Sequence, residues 1–228
     1  MLSKKMRFFK IFLLLLLGVN FLFALPYEEI KEAYAKSYLY EKVGDYKDAI
    51  RVLMPVYNAY PDSYTVNLRL GWLYYLMGKY ANSVYHYKKA DSAIPSSVES
   101  KLGLSLPLIA QERWGEAEQV LYRVLAIDYY NYYGNLRLAK VLGEEGKYKQ
   151  QIAVALKMLN IYPTAVPFLV FLGSGYYHLG NLKRAEEIFK NVLVLDPENI
   201  TAKGYLEKIE KSSKGEKAQE SPKGKEED

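Results

Sequence analysis

The chain has no cysteine and only two histidines, His86 and His178. The first absence excludes a disulfide framework, thiol catalysis, thiolate metal sites and a lipid-modified cysteine anchor. The second makes a histidine metal cage implausible. No P-loop, GxGxxG or HExxH pattern occurs, and no stretch sustains period-two alternation, so neither a nucleotide-phosphate loop nor a sheet is expected. Excess charge is also scarce once its position is considered. The formal charge is +5, yet Lys4, Lys5, Arg7 and Lys10 precede every acid, which leaves 5 − 4 = +1 on the chain after residue 24. A nearly neutral body offers no electrostatic reason for nucleic-acid binding.

What is present is apolar. Half of the 228 residues are hydrophobic, enough to build a core, and 23 are Tyr. The start reads as an export segment: a basic head (MLSKKMRFFK), an apolar run from Ile11 to Leu25, and a small residue, Ala24. Residues 1–24 are therefore expected to be a cleaved signal peptide or an uncleaved inner-membrane anchor. Either puts the body outside the cytoplasm, periplasmic or tethered facing the periplasm, with membrane contact only through this segment.

The body repeats every 34 residues. Gly44, Gly78, Gly146 and Gly180 share one grid, with Glu112 in the vacant place. Pro61, Pro95, Pro163 and Pro197 share another, with Tyr129 in the gap. Tyr46, Tyr80, Trp114, Tyr148 and Leu182 follow each turn position by two, and Leu70, Leu104, Leu138, Leu172 and Leu206 form a further column. Within a unit, apolar spacings of three and four predict two helices, as at Leu70, Leu73, Tyr74 and Met77, then Tyr80, Val84, Tyr87 and Ala90. The Gly ends the first helix and the Pro ends the second. Two prolines break these rules. Pro55 falls in a second helix and Pro107 in a first helix, and each is expected to kink its helix. With the missing Gly and Pro of unit three, an irregularity is expected near residues 105–130.

These columns resemble the tetratricopeptide repeat (TPR), a 34-residue helix–turn–helix unit. The fifth unit carries the resemblance best, through Leu169, Leu172-Gly173, Tyr176, Gly180, Ala185, Phe189 and Pro197; the second follows with Leu70-Gly71, Tyr74, Gly78, Ser83, Tyr87 and Pro95. Unit four departs at Gln151, where a small residue is usual, and unit one has Lys36-Ser37 for Leu-Gly. The resemblance implies an all-α, right-handed α-solenoid of five units (30–63, 64–97, 98–131, 132–165 and 166–199). A capping helix at 200–211 and a disordered charged tail at 212–228 complete the expected organisation.

No catalytic constellation is apparent, so the chain is expected not to be an enzyme and to need no cofactor or metal. In TPR proteins the first helices line a concave groove. The resemblance therefore implies groove residues Tyr38, Arg69, Trp72, Tyr75, Leu106, Ile109, Arg137, Lys140, Tyr177 and His178, alongside Tyr34, Leu68, Leu102, Tyr133, Leu136, Val170 and Ser174. Leu68, Leu102, Leu136 and Val170 share a column and read more readily as inter-unit core. Such a strip suits a protein or peptide with apolar anchors. The family's clamp for C-terminal carboxylates needs Asn at a position held here by Tyr38, Trp72, Leu106, Lys140 or Ser174, which argues against a receptor for cytosolic chaperone tails. The expectation is an exported scaffold for envelope complex assembly; the alternative is a self-associating structural array.

Overall fold

The computed structural model describes residues 24–219, with side chains to residue 212. The export segment expected at residues 1–24 lies outside them, save for Ala24. Among the described residues there is no strand, and no helix is long and apolar enough to cross a membrane.

Unit one contains α1 (Tyr27–Lys42), α2 (Tyr46–Arg51) and α3 (Met54–Ala59). The next units are pairs: α4 (Tyr64–Leu76) with α5 (Tyr80–Ala93), α6 (Val98–Ala110) with α7 (Trp114–Ile127), α8 (Tyr132–Glu144) with α9 (Tyr148–Leu159), and α10 (Val166–His178) with α11 (Leu182–Leu195). The last helix, α12, spans Ile200–Gln219. First helices thus begin at 64, 98, 132, 166 and 200, the interval read from the sequence. Each Tyr, Trp or Leu two places after a turn position opens a second helix.

The turns share one hydrogen-bond pattern. Lys79 N donates to Tyr74 O at 2.8 Å, as Asp45, Arg113, Lys147 and Asn181 do to Tyr40, Leu108, Leu142 and Tyr176. This bond closes only if the residue before the donor is left-handed. Gly78 and Gly146 meet that demand at φ 71°. Glu112 meets it too, at φ 55°, although it has a side chain.

Small residues set the helix separation. A Cβ on Gly71 would stand 2.9 Å from the Tyr87 ring, and one on Gly173 would stand 2.8 Å from Phe189. Ser83 Oγ donates to Gly71 O at 2.7 Å. Gln151, the large residue at the equivalent place, is buried and does the same job with a longer arm: its Nε2 donates to Ala139 O at 3.1 Å. Its bulk fits because Gly143 faces it, where a Cβ would stand 2.4 Å from the Gln151 amide. Successive hairpins bury three apolar clusters, centred on Leu70 and Leu73, on Leu121 and Leu142, and on Phe168 and Phe189. No unit covers its own apolar face, so each cluster recruits its neighbours.

The prolines behave differently from each other. Pro55 breaks the second helix of unit one as expected, separating α2 from α3 at Val52-Leu53. Pro107 does not: α6 runs through it to Ala110. It sits in the last turn, where only one ladder bond is lost, and Gln111 donates to the Pro107 carbonyl from both backbone and side chain. Within the stretch 105–130, where an irregularity is expected, the backbone departs at Glu112, which takes a positive φ.

In three first helices a side chain on one column latches the loop before the helix. Asn67 Nδ2 donates to Pro61 O and Ser63 O, both at 2.8 Å. Asn135 Nδ2 donates to Tyr129 O and Asn131 O at 3.1 and 2.9 Å. Lys101, on the same column, gives its ammonium to Pro95 O, Ser97 O and Asp91. In unit five the place belongs to Leu169, which has nothing to donate.

The last helix continues eight residues past the predicted end at 211, to Gln219. Lys, Glu, Ala and Gln there favour the helix, and a single Gly215 does not stop it. Residues 220–228 lie outside the described residues.

Candidate binding groove

First helices touch first helices: α4 packs beside α6, α6 beside α8, α8 beside α10 and α10 beside α12. They form a continuous inner layer, and two open cavities lie along it. The first, about 480 Å³, is walled by Tyr34, Tyr38, Leu68, Arg69, Trp72, Leu106 and Arg137, with Tyr64, Glu99 and Leu102. The second, about 830 Å³, is walled by Lys140, Glu144, Val170, Phe171, Ser174 and His178, with Tyr205 of α12. Five of the ten predicted groove residues (Tyr38, Arg69, Trp72, Leu106 and Arg137) thus share the first cavity. Lys140 and His178 share the second. Tyr75, Ile109 and Tyr177 line neither.

Arg69 is neutralised within the chain. It is only 7% exposed, it ion-pairs with Glu41, and its Nε and Nη2 donate to Ser37 Oγ at 3.3 and 3.2 Å. Trp72 Nε1 donates to the other Glu41 oxygen at 2.7 Å. The Tyr38 ring covers the guanidinium at 3.9 Å, a cation–π contact. Trp72 also stacks on Tyr75 with ring centres 5.8 Å apart, so this aromatic wall is rigid. Glu99, the carboxylate of the cavity wall, accepts the Tyr64 hydroxyl at 2.9 Å.

Arg137 is partly buried, and burial holds its pKa below the usual arginine range. Its Nη1 donates to Leu102 O at 2.5 Å and to Ser105 Oγ at 3.0 Å. No carboxylate of the described residues pairs with it; the groups that influence it are the phenols of Tyr75, Tyr87 and Tyr133. Between the two arginines, on the same column, stands Gly103. A Cβ there would come within 2.1 Å of Tyr87, whose ring fills the space that an arginine occupies in units two and four.

At the second cavity, His178 is exposed and stacks flat on Tyr148 at 4.5 Å. Tyr205 Oη contacts Ser174 Oγ at 3.0 Å and His178 Nε2 at 3.2 Å, so the last helix closes this end. Lys140 has a loose partner in Glu144, 3.8 Å away and half-exposed. No group of three or more His, Asp or Glu among the described residues is placed to hold a metal ion.

Residues 34–98 match the family described as tetratricopeptide repeat. Among solved structures, the chain superposes on the MamA protein with a TM-score of 0.69 at 22% identity, covering 75% of this chain and 93% of that one. A TPR protein from Parabacteroides merdae gives a TM-score of 0.75 at 16% identity over 84% of this chain and 76% of that one. The fold is that of a TPR solenoid. YrrB, described as a TPR protein with an unusual peptide-binding site, gives a TM-score of 0.68 at 17% identity, covering 80% of this chain and 91% of that one. A curated relative, anaphase-promoting complex subunit 3 of Dictyostelium discoideum, is 32% identical over 80 residues, 35% of this chain. The chain spans only 8% of that relative's length.

The sequence alone did not point to Glu41, Ser37 or Ser105 as partners in this TPR groove. A signal existed: Glu41 and Arg69 are separated by 28 residues, which in a 34-residue array puts them on adjacent first helices at the same level.

Proposed function

We propose that this chain is a non-catalytic TPR scaffold that holds a partner polypeptide along the inner layer of its first helices. The observation that carries the reading is the open 480 Å³ cavity, whose wall is pre-organised: Trp72 is fixed by Glu41 and by Tyr75, and Arg69 by Glu41 and Ser37. A rigid aromatic wall loses little entropy when an apolar anchor fills it. The peptide-binding description of YrrB and the TPR match at residues 34–98 favour the same class of activity.

The basic-then-apolar start supports an exported protein acting in assembly at a bacterial envelope, either released by cleavage near Ala24 or tethered by the uncleaved segment. Cell fractionation with N-terminal sequencing of the mature chain tests the location. For the groove, crosslinking from a photoreactive residue at position 72 in native cells identifies the neighbour. The double substitution Trp72→Ala with Tyr75→Ala should abolish its capture, and unchanged capture sinks the groove reading. Light scattering separates this from a self-associating array, because a monodisperse monomer is incompatible with the latter.

A further inference from the structure

Arg69 and Arg137 occupy the same column two repeats apart, and the surroundings of the first show how the second is completed. Each guanidinium donates to a serine 32 residues earlier, Ser37 for Arg69 and Ser105 for Arg137. Arg69 then meets the carboxylate of the residue 28 earlier, Glu41. The residue 28 before Arg137 is Ile109. The serine contact is repeated; the anion is not, Leu106 stands where Tyr38 covers Arg69, and Arg137 adds a bond to Leu102 O.

We infer that Arg137 receives a carboxylate from a bound partner, an acidic side chain of a polypeptide segment seated over Ile109 and Leu106 in the place that Glu41 takes on Arg69. The inference rests on the groove reading and names its chemistry. Three facts support it. First, Arg137 already lines the open cavity, and among the described residues only its Nη1 is engaged, by Leu102 O and Ser105 Oγ, so Nε and Nη2 of the planar fork have no acceptor. Second, a partly desolvated guanidinium without a counter-ion gains more from an arriving carboxylate than a solvated one does. The carboxylate of the cavity wall, Glu99, is held by Tyr64 instead. Third, Trp72, three residues after Arg69, supplies the second donor to Glu41; three residues after Arg137 the place is taken by Lys140, another donor and a cation, restrained only by its 3.8 Å contact with Glu144. A partner carboxylate at Arg137 therefore approaches a helix that also carries Lys140, which lines the neighbouring second cavity, with Leu106 of the first cavity favouring an apolar neighbour beside it.

The repeat symmetry provides a test that needs no natural partner. I109E restores the missing anion and I109Q matches it in size without charge. The two are compared by urea denaturation in the wild-type background and in R137Q. With Arg137 present, I109E should exceed I109Q by tenfold or more in folding equilibrium constant, and R137Q should erase the difference. No coupling overturns the proposal. Selection from a random 12-residue peptide library on phage then addresses the ligand. Peptides dependent on Trp72 should carry Asp or Glu at a fixed position beside an apolar residue, and should weaken tenfold or more on both R137Q and I109E. Peptides lost on Trp72→Ala but indifferent to R137Q and I109E overturn the carboxylate assignment and leave the groove reading intact. Failure to select any peptide that depends on Trp72 overturns both.

Discussion

Glu112 takes the left-handed backbone that Gly78 and Gly146 take one repeat to either side, at φ 55° against 71°. The array imposes the turn, and the side chain bears the strain, on the order of 1–2 kcal/mol for a residue with a Cβ. Glu112→Gly should stabilise the chain by about 1 kcal/mol, after the extra freedom of the unfolded Gly is subtracted. Gly78→Ala should shift stability the other way by a similar amount. Urea denaturation followed by circular dichroism measures both, and a destabilising Glu112→Gly would show that the strain is relieved elsewhere.

The Tyr87 ring lies between Gly71 of its own unit and Gly103 of the next, so it holds two units together while only 3% exposed. Gly103→Ala would bring a methyl within 2.1 Å of that ring. Overpacking of this kind costs about 1–3 kcal/mol. The loss should be partly rescued by Tyr87→Leu in the double variant, a coupling that thermal or urea melts can read.

His86 is buried against Tyr57, Tyr74 and Tyr85, with Lys89 the nearest charge, and its Nδ1 contacts Asn67 Oδ1 at 2.9 Å. Burial lowers its pKa from 6.5 to about 4. The unfolded chain therefore takes up the proton first as pH falls. Stability is complete above about 6.5 and declines toward pH 4, by on the order of 3 kcal/mol from this group. His86→Gln, which keeps a donor for Asn67, should flatten the difference in melting temperature across that window relative to wild type. Parallel curves would contradict the assignment.

Lys101 combines an ion pair to Asp91 at 2.7 Å with two carbonyl bonds while almost fully buried. Asp91 also holds Arg123 at 2.9 Å. Lys101→Met leaves Asp91 short of a buried partner and two carbonyls unmet, so a loss of about 3–5 kcal/mol is expected in denaturant titration. Arg123→Ala removes only the exposed arm of the same network and should cost under about 1 kcal/mol.

The solenoid was legible because its causes are local and repeated: a turn glycine, a closing proline, a small residue facing a ring. Pro55 announced its break for the same reason. Pro107 leaves its helix unbroken because only the last turn follows it, and that end is set by the array. Gln151 fits only because Gly143 stands opposite, where a Cβ would meet its amide at 2.4 Å. The groove divides along similar lines. Columns tell which residues share a face, so Trp72 and Arg137 could be placed. They do not tell which charges cancel, because that depends on side-chain reach between helices. That Glu41 neutralises Arg69 is therefore not legible in the columns.

The loop latches have a consequence for how the array yields. Asn67, Lys101 and Asn135 fasten three consecutive junctions through donors of their own, whereas Leu169 leaves the junction ahead of α10 without that fastening. Under strain the molecule should part there first, letting the final hairpin and α12 swing away as one piece. Amide protons around Tyr162–Ala165 should exchange with solvent sooner than their counterparts one and two repeats upstream.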